Sequence, residues 1–149
     1  MSDLNTHDLN THDLILQYVK WNQFGNHLGM TFSILKPGKV HYRMSIEKEH
    51  LATVSAAHGG VIASLMDASL GVAALSVVCQ DQKVVSTVSL TIQYLAPAKL
   101  GDVLFAEAEV IKSGNRLIFV ESSIRNQLQE VVATGMATMN AYPISKLAD

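Results

Sequence analysis

The chain has 149 residues, 11 basic and 13 acidic, with a charged share of 16% against an apolar share of 48%. Average soluble domains carry roughly 25% charged residues, yet the chain is too apolar and too irregular for disorder, a coiled coil or collagen, and a net charge of −2 supplies no basic field for nucleic acid. A single domain that buries about 68–70% of its unfolded surface is expected, with part of its thinly charged exterior covered by a second subunit.

Asp-Leu-Asn-Thr-His is repeated over residues 3–12. A period of five fits neither a helix nor a strand, so a loosely ordered leader is expected. His7 and His12 share no helical face and no third ligand follows at a metal-site spacing, so no metal is expected. Asp3, Asp8 and Asp13 stand where a secretory signal would be basic. Together with the single cysteine, Cys79, this points to the cytoplasm. A helix is predicted from Thr11 as N-cap to about Gly25, with Leu14, Ile15, Tyr18, Val19 and Phe24 inward. Residues 1–27 then form a leader and short helix, and 28–149 the main domain.

Met30 to Leu35 and Val40 to Ile46 flank Lys36-Pro37-Gly38-Lys39. Alternation of Val40, Tyr42, Met44 and Ile46 with polar residues predicts a hairpin. Residues 61–79 hold one charge, Asp67. That acid and three serines make membrane insertion marginal, and a helix apolar all round must be wrapped by something. Val84 to Ala96, Val103 to Lys112, Arg116 to Asn126 and Val131 to Tyr142 read as four strands with short connections, expected to be sequential antiparallel neighbours. The predicted class is α+β, an antiparallel sheet wrapped around one long central helix.

Chemistry concentrates at Ala57-His58-Gly59-Gly60 and Asp67. Two glycines at a helix start leave backbone N–H groups open at the positive end of the dipole, a site for an anion or a developing oxyanion. A carboxylate in apolar surroundings is a candidate general base. The plainer alternative is that the glycines only permit a tight turn and that Asp67 bonds Ser64 or Ser69. Eight residues separate Gly59 from Asp67, about 12 Å of helix, too far for one carbonyl within one chain. Two antiparallel helices across a two-fold axis would bring Gly59 of one chain to Asp67 of the other.

These residues resemble the hot-dog-fold acyl-CoA thioesterases of the phenylacetyl-CoA thioesterase (PaaI-like) branch. The resemblance covers roughly residues 25–140. His58-Gly59-Gly60 with Asp67, the strand Ser86 to Tyr94, and Leu95-Ala96-Pro97-Ala98-Lys99-Leu100-Gly101-Asp102 carry it. It implies hydrolysis of an acyl-CoA or aryl-acyl-CoA to free acid and coenzyme A. In that reaction Gly59 donates its N–H to the thioester oxygen, the partner chain's Asp67 attacks or activates water, and Thr87 helps to place the water or the acid. His58 orients the loop. Lys99 and the turn Lys112-Ser113-Gly114-Asn115-Arg116 fall where the family binds the nucleotide and phosphates of coenzyme A, which is part of the substrate, so that no separate cofactor is implied. A homodimer is implied, usually paired into a homotetramer. Where several members keep an Asn six residues before the motif His, this chain has Ala52, with His50, Thr53 or Ser55 as substitutes. A non-catalytic acyl-CoA-binding protein on the same fold is the alternative, and a hydratase would need a different His and acid pairing.

Overall fold

The structure, a computed structural model, describes residues 8–148. The first copy of the pentapeptide, with His7, lies outside the described residues. The second copy is not loose: Leu9–Thr11 form a 3-10 turn with Leu9 buried. The Asn10 amide bonds both the N–H and the C=O of Ile34, each at 2.8 Å, and so imitates a neighbouring strand on a sheet edge.

Helix α1 spans Asp13–Trp21, capped by His12, whose Nδ1 accepts from the Leu14 N–H, rather than by Thr11. Asn22 breaks the predicted single helix; its side chain accepts from the Gly25 N–H and opens α2, Gln23–His27. Leu14 and Ile15 join the main core, whereas Val19 and Phe24 face outward. The break at Asn22 resets the helical phase. The described residues before β1 pack on the domain through Leu9, Leu14 and Ile15.

β1 (Thr31–Lys36) and β2 (Lys39–Ser45) form the expected hairpin, turning at Gly38 with φ +82°. After them come α3 (Gly59–Val78), β3 (Lys83–Tyr94), β4 (Val103–Ser113), β5 (Leu117–Arg125) and β6 (Val131–Pro143). The strands form one antiparallel sheet in the order β1-β2-β4-β5-β6-β3. β4 to β6 are sequential neighbours as expected, but β3 is not: it pairs with β6 at the far edge. The connection 95–102 is too long for a tight turn and crosses the end of the sheet instead. It is pinned there by Ala57 N–H to Ala98 O (2.8 Å), Leu100 N–H to Ser55 O (2.9 Å) and Ile46 N–H to Asp102 O (2.8 Å). That crossover fastens the loop preceding α3.

By length and composition α3 could cross a membrane, but the sheet curls round it and buries Leu65, Met66, Leu70, Ala73 and Ala74 completely. A Cβ added at Gly135 of β6 would stand 2.7 Å from the Met66 sulfur, so a glycine there permits the close approach. The helix's buried hydroxyls serve as ties. Ser69 meets Ser122 of β5 at 2.9 Å, and Ser76 accepts from the Gly38 N–H at 2.8 Å. A buried hydroxyl without such a partner would be costly.

One irregularity bears on the site. The β3–β6 register shifts between Thr87 and Ser89, a bulge centred on the exposed Val88. Val85 packs on the core before it, Leu90 and Ile92 after it, so inward parity changes from odd to even at this point.

Candidate active site

The loop that delivers Gly59 is built by short hydrogen bonds. His50 is buried and its Nδ1 accepts from the Glu47 N–H (2.9 Å), while its carbonyl accepts from the His58 N–H (2.8 Å). Thr53 Oγ1 accepts from the Ala56 N–H (3.0 Å). Both side chains are thus engaged in holding the loop. The His58 imidazole caps α3, its Nδ1 accepting from the Gly60 N–H at 2.8 Å, a task usually given to a Ser, Thr, Asn or Asp oxygen. A Cβ at Gly60 would lie 2.9 Å from that nitrogen and would displace the capping imidazole. The Gly59 N–H donates to no acceptor among the described residues and is exposed at the helix start. It remains free for a ligand oxygen.

Over Gly59 lies the Tyr94 ring, 3.6 Å from where a Cβ would stand, with its hydroxyl donating to the Gly59 carbonyl at 3.2 Å. Gly59, Tyr94, Pro97 and Ala98 border a recess of about 300 Å³. Tyr94 is a positioning residue to which sequence reasoning gave no role. Its signal is the last place on β3, where the crossover doubles back past α3.

Asp67 lies elsewhere. It is half-buried two turns into α3 and bonds neither Ser64 nor Ser69, which bond Gly60 and Met66 carbonyls instead. Its Oδ1 accepts from Thr87 Oγ1 at 2.7 Å. The Met139 sulfur is a second acceptor within 3.4 Å of that hydroxyl, but a charged oxygen at shorter range is the stronger one. Oδ2 has no donor among the described residues. Asp67 and Thr87 border a separate pocket of about 270 Å³ whose other walls are largely apolar. Within one chain, then, the carboxylate and the free N–H open into different cavities.

Lys99 lies on the crossover, bridged to Ala56 beside the Gly59 recess. Lys112, Ser113, Gly114, Asn115 and Arg116 are exposed at the far tip of β4 and β5. Asn115 accepts from the Lys83 ammonium there (3.4 Å). The length of β4 separates the two groups by on the order of 30 Å, so one chain does not bring them together. Ala52 is exposed in the loop. Cys79 is fully buried, and burial pushes its thiol up from its ordinary range, as suits a packed side chain.

Residues 55–133 match the family model described as the thioesterase superfamily. The chain is 30% identical over 128 residues to human acyl-coenzyme A thioesterase 13, covering 84% of this chain and 89% of the human one. The PaaI protein of Escherichia coli, from its phenylacetic acid degradation operon, superposes with a TM-score of 0.80 at 23% identity, covering 91% of this chain and 94% of that one. A Streptococcus mutans protein solved bound to acetyl-CoA superposes with a TM-score of 0.70 at 26% identity, covering 76% and 89%.

Proposed function

The chain belongs to the thioesterase superfamily and has the hot-dog fold, and from that premise we propose that it hydrolyses acyl-CoA thioesters to a carboxylic acid and coenzyme A across a homodimer interface. One observation carries the reading: the Thr87-bonded Asp67 and the free Gly59 N–H each border a cavity, yet sit about 12 Å apart along one rigid helix. Two chains related by a two-fold axis complete two sites at once. Among the described residues β3 pairs on one side only, and its free edge offers backbone groups for the same strand of a second copy. In that arrangement Gly59 and Lys99 of one chain face Asp67, Thr87 and the Lys112–Arg116 turn of the other, so the separated cations converge at one end of the dimer on the phosphates of coenzyme A. Pairing of dimers into a tetramer belongs to the same proposal, as does a cytoplasmic location.

The chemistry follows from these positions. Gly59 holds the thioester oxygen. Asp67 takes a proton from water as its oxygen attacks the carbonyl carbon, and negative charge develops on the oxygen facing the Gly59 N–H. Collapse breaks the C–S bond, and the departing sulfur takes the proton from Asp67 to leave as the thiol. Human acyl-coenzyme A thioesterase 13 is named for this class of reaction.

Purified protein should release thiol from acyl-CoA, and Asp67→Asn should lose roughly 10²–10⁴ of that rate at an unchanged fold. Full activity in Asp67→Asn would refute the assignment. Ala52, in place of the family's Asn, favours keeping the binding-only reading as the second one; saturable acyl-CoA binding with no thiol release in the wild type would establish it.

A further inference from the structure

The pocket beside Asp67 extends away from the acid in one direction. Asp67, Gly71 and Leu75 are four residues apart on α3 and all border it, so it runs roughly 12 Å along one helix face. Leu14, Tyr18 and Trp21 of α1 close its other side. Tyr18 and Asp67 border this one cavity, and burial pushes the Tyr18 phenol up from its ordinary range. Gly71 is the informative residue. A glycine inside a helix is destabilising relative to alanine, yet a Cβ there would meet nothing within 4 Å. Packing within the chain does not require it, and its effect is to keep the pocket open one turn beyond the acid.

Resting on the hydrolase reading above, we infer that α1 and Gly71 set acyl selectivity: the pocket takes the acyl group of the thioester, with Trp21 at its outer wall, and prefers an aryl-acyl or medium-chain alkanoyl group. The size argues for that class. A cavity of about 150 Å³ holds a benzene ring, and this one has about 270 Å³. An acetyl group would leave most of its apolar wall uncovered, and a long-chain acyl group would have to push past Trp21.

Two variants act in opposite directions on the same pocket, one from each side. Trp21 is half exposed, so Trp21→Ala should fold; it should raise the kcat/KM ratio of dodecanoyl-CoA over octanoyl-CoA about tenfold or more. Gly71→Leu, with Gly71→Ala as the milder version, should lower the ratio of octanoyl-CoA over butanoyl-CoA by about tenfold. Equal changes for all three substrates, or none, would overturn the inference. Trp21 is also the sole tryptophan, which gives a reading independent of turnover. Emission from Asp67→Asn should shift with octanoyl-CoA and not with coenzyme A alone. An unchanged emission at saturating octanoyl-CoA would overturn the inference while thiol release by the wild type continued to support hydrolysis. Absence of thiol release from every acyl-CoA would overturn the hydrolase reading and this one with it, and the wild-type assay separates the two failures.

Discussion

Thr87 donates to Asp67 Oδ1 across 2.7 Å from the strand position just before the bulge at Val88. The core-facing parity of β3 is odd at Val85 and even at Leu90 and Ile92, and Thr87 falls just before the change. Bulges recur beside active sites because they re-aim a side chain without ending the strand.

Removing the Thr87 hydroxyl frees the Asp67 carboxylate to rotate. Thr87→Ala is expected to lower kcat about tenfold to a hundredfold with KM little changed, since the hydroxyl positions the acid rather than the substrate. Thr87→Ser should recover most of the rate. If Ser is as slow as Ala, the threonine acts through its methyl group and not its hydroxyl.

His58 stands between the two glycines' chemistry and the loop. Its capping bond to the Gly60 N–H predicts that His58→Ala lowers stability by about 1 kcal/mol. His58→Ser and His58→Asp supply a capping oxygen instead and should restore both melting temperature and most of the turnover. Restored stability without restored turnover would show the imidazole itself taking part in the reaction.

The buried Ser69–Ser122 pair ties the middle of α3 to β5. Ser69→Ala leaves the buried Ser122 hydroxyl without that partner, at about 1–3 kcal/mol, whereas Ser122→Ala leaves Ser69 its bond to the Met66 carbonyl and should cost less. The double variant should cost less than the sum of the two, because it leaves neither hydroxyl stranded. Urea unfolding of the four proteins measures this, and simple additivity would mean that the pair does not interact.

Alkaline pH should unfold the domain through its interior phenols. Burial raises Tyr18 and raises Tyr42 further, each also influencing the other. The folded state therefore keeps these protons above pH about 10, where the unfolded chain releases them. Between those two points the folded state binds more protons, so stability is fully present below pH about 10 and falls as pH rises beyond it. Melting temperatures from pH 8 to 11 should show the fall, and Tyr18→Phe should make it shallower.

Much of this protein was legible residue by residue. Alternation in β2 and β4 identifies strands buried on one face, because side chains in a strand alternate sides whatever lies across from them. The uncharged run around Asp67 identifies a helix that must be wrapped, and His58-Gly59-Gly60 marks its start as a place where N–H groups stay open. These are properties of neighbouring residues. The edge position of β3, the docking of Asn10 against Ile34 and the outward turn of Phe24 were not legible in the same way. Each depends on which distant segment arrives beside it: the crossover 95–102 pinned to the loop before α3, a strand edge in need of partners, and a helix phase reset at Asn22. Local pattern named Asp67 as the acid to watch. Only the tertiary structure gave it Thr87 as a partner, kept it apart from Gly59, and set it at one side of an apolar pocket. Those relations are fixed by packing among residues far apart in the chain, where the sequence pattern carries no distance.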